Sequence, residues 1–154
     1  MRDRGKDCCR MKTMTDLCAG AASQALQWDM RVGLDLVEIA QLRRSIRVFG
    51  DAFTQRLFTR GEIDYSGESA ATMAPRLAAR FAAKEALIKA LQLSEAGVSW
   101  RDIEVVKLAA GDCRLELHGR VAQLAEEKGL RGLLLSLSHD GNYAGAVVNA
   151  RLAN

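Results

Sequence analysis

Proline is almost missing from this chain: Pro75 is the only one in 154 residues. No proline-rich or other low-complexity tract interrupts the sequence. Aromatic residues make up 5% of it, and no stripe of arginine or lysine is interleaved with them, which argues against a nucleic-acid module. The net charge of +3 is too small to argue for nucleic acid, though it suits an acidic partner or a phosphate-rich ligand. No apolar run approaches the roughly 18 residues that a membrane span needs. The first twenty residues carry Asp3, Lys6, Asp7 and Arg10 where a secretory signal would have its apolar core. Cys8, Cys9, Cys18 and Cys113 form no Cys-x-x-Cys pair and stand at no zinc spacing from His118 or His139. The expectation is a soluble, cytoplasmic protein with free thiols. A glycine-rich phosphate loop, a serine elbow and a zinc signature are also missing.

What is present suits one domain with a single core. Residues 1–29 differ in character from the rest, with a mixed-charge start and an alanine-rich segment over 15–28 of helical composition. They are expected to be a peripheral N-terminal extension to a domain over 30–154. Val32, Leu34 and Leu36 alternate with Gly33 and Asp35, the period of a strand, so Asp35 points away from the aliphatic side. Ile39, Leu42 and Ile46 follow at helical spacing, with Arg43, Arg44 and Arg47 along the other side. A short helix is expected over 51–58, and Thr59 with Glu62 makes the spacing of a capping box. Residues 66–73 read as a loop, and Pro75 suits the first turn of a long helix over 75–91.

Beyond a loop over 92–99, strands are expected at 103–108 and 113–118. A helix over 119–128, ended by Gly129, separates them from a last pair at 133–138 and 143–150, joined by a hairpin loop over 139–142. The fold class is α+β, helices early and antiparallel strands late.

The long helix holds the unusual chemistry. At roughly 100 degrees per residue, Leu77, Phe81, Ile88 and Leu91 share one arc, Lys84 projects from its middle, and Glu85 lies on its flank. Charges so placed suggest a lined cleft or a subunit seam, because a surface helix keeps its charges opposite the apolar stripe. The plainer alternative is that Lys84 snorkels and Glu85 pairs with Lys89 one turn on. If the first strand packs beside this helix, Asp35 and Glu85 supply the paired hard oxygen ligands that magnesium needs. Arg80, Lys84 and Lys89 then surround the same place with charge suited to phosphate oxygens. His139 ends a strand in a loop, where a lone histidine is more often a structural hydrogen-bond partner than a functional group.

Four segments, Val32-Gly33-Leu34-Asp35-Leu36-Val37-Glu38-Ile39, Arg80-Phe81-Ala82-Ala83-Lys84-Glu85-Ala86, Trp100-Arg101-Asp102-Ile103-Glu104-Val105 and Leu135-Ser136-Leu137-Ser138-His139-Asp140 with Tyr143-Ala144, occur in this order. Together they resemble the successive motifs of holo-acyl-carrier-protein synthases, the short phosphopantetheinyl transferases. The resemblance covers about 30–150 and implies that fold, with an antiparallel sheet. It implies a reaction in which the phosphopantetheine arm of coenzyme A moves to a serine of an apo acyl carrier protein, releasing adenosine 3′,5′-bisphosphate. Asp35 and Glu85 match the residues that hold Mg2+, Lys84 fits a stabiliser of phosphoryl oxygens, and Arg80, Lys89 and His139 match contacts to the coenzyme A phosphates. Arg43, Arg44 and Arg47 are left to dock the carrier. Family members of this length are homotrimers with sites between subunits.

Three departures stand against the pattern. Gln92-Leu93-Ser94-Glu95 replaces a Gly-Thr-Gly turn, Gln41 replaces a basic residue, and Gly111-Asp112-Cys113 replaces a glycine-proline turn. They leave a second reading open, a non-catalytic trimeric relative that binds a carrier protein or nucleotide.

Overall fold

The structure is a computed structural model that describes residues 28–67 and 69–153. The described residues form five strands and four α-helices in the order β1 (Trp28–Glu38), α1 (Ile39–Leu57), α2 (Arg60–Ser66), α3 (Ala70–Leu91), a 3-10 turn (Trp100–Asp102), β2 (Ile103–Lys107), β3 (Cys113–Leu117), α4 (Gly119–Glu127), β4 (Leu130–Asp140) and β5 (Tyr143–Ala153). Sequential strands pair as two antiparallel hairpins, β2 with β3 and β4 with β5. The first strand closes the sheet from the far end of the chain, giving the order β1-β5-β4. Both hairpins follow α1, α2 and α3, as expected, while β1, the strand expected ahead of them, pairs with the last strand, Asp35 opposite Ala146.

The N-terminal reading falls largely outside the described residues, including the expected helix over 15–28 and Cys8, Cys9 and Cys18. Trp28 and Asp29 are paired with Ala153 and Leu152, so the strand begins inside the stretch assigned to the appendage. Among the described residues Cys113 is a free thiol.

Alternation in β1 holds, and its aliphatic side is the outer one: Val32, Leu34 and Leu36 are each more than 60% exposed. The inner side carries Gly33 and Asp35 because α3 lies directly against it. A Cβ built on Gly33 would stand 1.8 Å from the Ala86 carbonyl oxygen, so only glycine permits this approach. Alanines at 82, 83, 86 and 90 on α3, and at 144, 146 and 150 on β5, keep the layers close.

α3 packs on two sides rather than along one arc. Its alanines at 82, 83, 86 and 90 belong to the core cluster of the sheet, while Leu77, Ala78 and Ala79 join Ile39, Leu42, Leu57 and Phe58 in a second cluster. The helix begins at Ala70 behind a Ser69 cap whose side chain accepts from the Ala71 N–H. Pro75 thus lies beyond the first turn, and the expected loop shrinks to a few residues. The two short helices expected over 39–58 are one element, α1, bent at Gly50, where φ 57° and ψ −144° are accessible to glycine alone. The capping box forms as read, with Thr59 accepting from the Glu62 N–H and Glu62 accepting from the Thr59 N–H.

Candidate active site

Asp35 and Glu85 come together because β1 presents its inner side to α3. Asp35 is two residues beyond Gly33 on that side, and Glu85 adjoins Ala86, against which Gly33 packs. Both carboxylates line one cleft of about 570 Å3, whose walls include Glu38, Leu57, Phe81 and Trp100. The Phe81 and Trp100 rings contact each other at 5.0 Å between centroids. Lys89 places its ammonium against Asp35, donating to Oδ1 at 2.7 Å and to the Leu34 carbonyl at 3.2 Å. Glu85 does not simply pair with Lys89 at helical spacing, since that ammonium is committed to β1.

Charge crowding is visible in the proton affinities. Partial burial raises the Glu85 carboxyl above the usual carboxylate range, the Asp35 charge raises it further, and Lys89 opposes both. Lys89 is held above an ordinary lysine chiefly by its hydrogen bond to Asp35. Two carboxylates that repel one another, tempered by one ammonium, form a donor set that a hard divalent cation fits.

Lys84 is elsewhere. Its ammonium is fully buried and donates to Glu62 Oε2 at 2.8 Å, to the Leu57 carbonyl at 2.8 Å and to the Trp100 carbonyl at 3.0 Å. It neither snorkels nor reaches the cleft, and the expected contact with phosphoryl oxygens is corrected on that geometry, since all three protons are used. Desolvation lowers its proton affinity while Glu62 raises it. Glu62 is the partner that sequence reasoning missed. The capping box already accounted for its carboxylate, and nothing in the local spacing shows a second role across 22 residues.

Arg80 and His139 meet at a second hollow of about 350 Å3, which also takes in Tyr65, Arg76, Lys107 and Cys113. Arg80 is 3% exposed, its guanidinium lies 4.3 Å above the Tyr65 ring, and one terminal nitrogen donates to the Arg76 carbonyl. Its Nε has no partner among the described residues. Burial lowers its proton affinity. His139 lies within β4, paired with Ala144, rather than in a hairpin loop; only Gly141 and Asn142 form the turn.

Arg43, Arg44 and Arg47 are exposed along α1, next to exposed Val48 and Phe49. Beyond α3, Gln92 takes the left-handed conformation at φ 55° and accepts from Arg31 at 3.0 Å. The helix end is thereby tied to β1 through the residue that departs from the glycine turn.

Residues 31–148 match the family model of the 4′-phosphopantetheinyl transferase superfamily. The chain belongs to this superfamily. Its relatives include the holo-acyl-carrier-protein synthase of Gloeobacter violaceus, 44% identical over 119 residues, or 77% of this chain and 90% of that protein. Another, from Solibacter usitatus, is 45% identical over 70% of this chain and 86% of the relative. Among solved superfamily structures, a synthase of Chronobacterium ammoniagenes in complex with coenzyme A superposes with a TM-score of 0.74 at 34% identity, covering 82% of this chain and 99% of that one. The synthase of Helicobacter pylori, also with coenzyme A, gives 0.67 at 28% identity over 77% and 98%. The phosphopantetheinyl transferase fold implied by the motifs is the fold observed.

Proposed function

We propose that the protein moves the 4′-phosphopantetheine arm of coenzyme A onto a serine of an apo acyl carrier protein, with Mg2+ held by Asp35 and Glu85. One observation carries the reading: two carboxylates from β1 and α3 border one cleft, close enough for the charge of Asp35 to raise the Glu85 carboxyl. Named holo-acyl-carrier-protein synthases cover most of the chain, and coenzyme A is bound in the superposed structures.

In the transfer, the serine oxygen forms the new bond to phosphorus as the bridging bond of the diphosphate breaks. Adenosine 3′,5′-bisphosphate leaves with the bridging oxygen. The cation, when bound, neutralises charge on the diphosphate. Lys89, half exposed and bonded to the cleft carboxylate of Asp35, supplies a further positive charge to the phosphoryl oxygens by exchanging its carboxylate partner for them. A bound water or a carboxylate of the cleft wall receives the serine proton. Arg80 and His139, with Arg76 and Lys107 around the second hollow, suit the remaining phosphate of coenzyme A.

Arg43, Arg44 and Arg47, beside Val48 and Phe49, suit an acidic amphipathic surface of the carrier. A homotrimer fits the outer face of the sheet. Met30, Val32, Leu34 and Leu36 of β1, with Leu134 and Tyr143, are each at least half exposed there, more apolar surface than a monomer ordinarily leaves to water. Among the described residues no helix is long and apolar enough to cross a membrane, and a cytoplasmic location goes with this chemistry.

The test is the full chain with coenzyme A, Mg2+ and an apo carrier, read by the carrier's gain in mass. Asp35→Asn and Glu85→Gln are expected to abolish or severely reduce the gain. Arg43→Glu with Arg44→Glu should raise KM for the carrier more than for coenzyme A. No gain across several carriers with the unaltered protein would turn the reading to a non-catalytic binder.

A further inference from the structure

We infer that Lys84 and Glu62 form a positioning pair for the transferase cleft, holding its walls from behind and touching no substrate; the inference rests on the reading of that cleft as the diphosphate site. Six hydrogen bonds carry it. The Lys84 ammonium has three protons, and they go to Glu62 Oε2, the Leu57 carbonyl and the Trp100 carbonyl. Glu62 Oε2 also accepts from the Thr59 N–H at 2.9 Å, Oε1 accepts from the Val105 N–H at 3.1 Å, and the Glu62 N–H goes to Thr59 Oγ1. The Phe58 ring lies 5.3 Å below the ammonium. Neither side chain keeps measurable exposure to solvent.

Leu57 and Trp100 are wall residues of the cleft, and both turn their carbonyls inward to the same ammonium. Phe81, in ring contact with Trp100, is a third wall residue steadied by this arrangement. Lys84 precedes Glu85 on α3, and consecutive helical side chains diverge by roughly 100 degrees. Anchoring Lys84 to α1, α2 and the turn before β2 therefore fixes the rotation of α3, and with it the direction of Glu85 into the cleft. A direct electrostatic role is poorly served by this geometry. The buried pair is neutral as a unit and offers a diphosphate little net field, whereas Lys89 is exposed beside Asp35.

Two measurements decide it. In a double-mutant cycle, Lys84→Met and Glu62→Gln are each expected to lower kcat/KM for coenzyme A by more than tenfold, and the double variant should fall no further than the worse single one. Independent losses that multiply, with Glu62→Gln alone within twofold, would overturn the proposal, because Glu62 borders no part of the cleft. The second measurement needs no variant: nitrogen-15 spectra of the lysine ammonium groups in the unaltered full chain, titrated with magnesium pyrophosphate. The expected result is a slowly exchanging Lys84 signal that stays in place while the Lys89 signal moves. A Lys84 signal that moves with Lys89 would sink the positioning role alone. Silence from both lysines would sink the diphosphate cleft, and the positioning role with it.

Discussion

Replacing Gly33 by alanine tests the contact that brings the two carboxylates together. The new Cβ would lie 1.8 Å from the Ala86 carbonyl oxygen, 2.8 Å from its carbon and 2.9 Å from the Ala90 nitrogen. Ordinary contact for such atoms is about 3.5 Å, and every atom met is backbone, so no flexible side chain can yield. β1 must retreat from α3 by roughly 1.5 Å at that point. Overpacking of a tight core costs about 1–3 kcal/mol, occasionally more, and a backbone-on-backbone clash belongs at the top of that range, about 3 kcal/mol. For a domain of this size about 4 °C of Tm is lost per kcal/mol, so the expected drop is about 12 °C in a thermal melt. Asp35 shares the inner side of the strand and retreats with it, away from Glu85 and Lys89. A misplacement of about 1 Å can cost 100-fold in rate, so kcat/KM in the carrier-modification assay should fall by about that factor at saturating Mg2+. Gly132→Ala is the control, since its Cβ would meet nothing closer than 3.8 Å; it should melt within a few degrees of the unaltered protein. If Gly33→Ala melts and turns over like the control, the close packing of β1 on α3 is not what places Asp35.

Three further outcomes follow from single features. Because the folded Glu85 carboxyl is raised by burial, then by Asp35, its contribution to stability is present below the unfolded value and is lost as pH rises through the raised folded value; in metal-free melts the unaltered protein should lose ground to Glu85→Gln across that window, and a pH-independent difference would contradict the shift. Thr59→Ala removes both the cap acceptor for Glu62 and the 2.7 Å hydrogen bond to Glu104, at about 1 kcal/mol each, so Tm should fall by about 8 °C, and a drop under about 2 °C would show that neither bond stabilises the fold. Leu34→Asp on the exposed side of β1 should yield monomers in sedimentation velocity if that side is the trimer seam; an unchanged sedimentation coefficient would place the seam elsewhere.

Local patterns foretold the elements whose causes are local. The Thr59–Glu62 box, the alternation of β1 and the β2–β3 hairpin are each set by residues within a few positions of one another. The first strand's partner was not legible, because pairing with β5 joins opposite ends of the chain. The orientation of its aliphatic side was hidden for a related reason. In most sheets the aliphatic side is the buried one, and here the close approach of α3 demands glycine and alanine, which leaves Val32, Leu34 and Leu36 facing outward. The helix start was misplaced because Pro75, read as a first-turn residue, is the sixth residue of a helix that begins at Ala70 behind the Ser69 cap.

The adjacent charges of α3 show where sequence reading of a site stops. Lys84 and Glu85 are one residue apart, and an amphipathic pattern assigns both to the same unusual region. Packing separates them: the lysine turns toward Glu62 and two backbone carbonyls, and the glutamate turns toward Asp35. What decides between these fates is a carboxylate on α2 and the carbonyls of Leu57 and Trp100, and backbone acceptors leave no trace in a sequence. A buried ammonium needs three acceptors and a neutralising charge. Finding one apolar-face lysine and one capping-box glutamate in a single domain is thus a signal that the two can satisfy each other before either is assigned to a substrate.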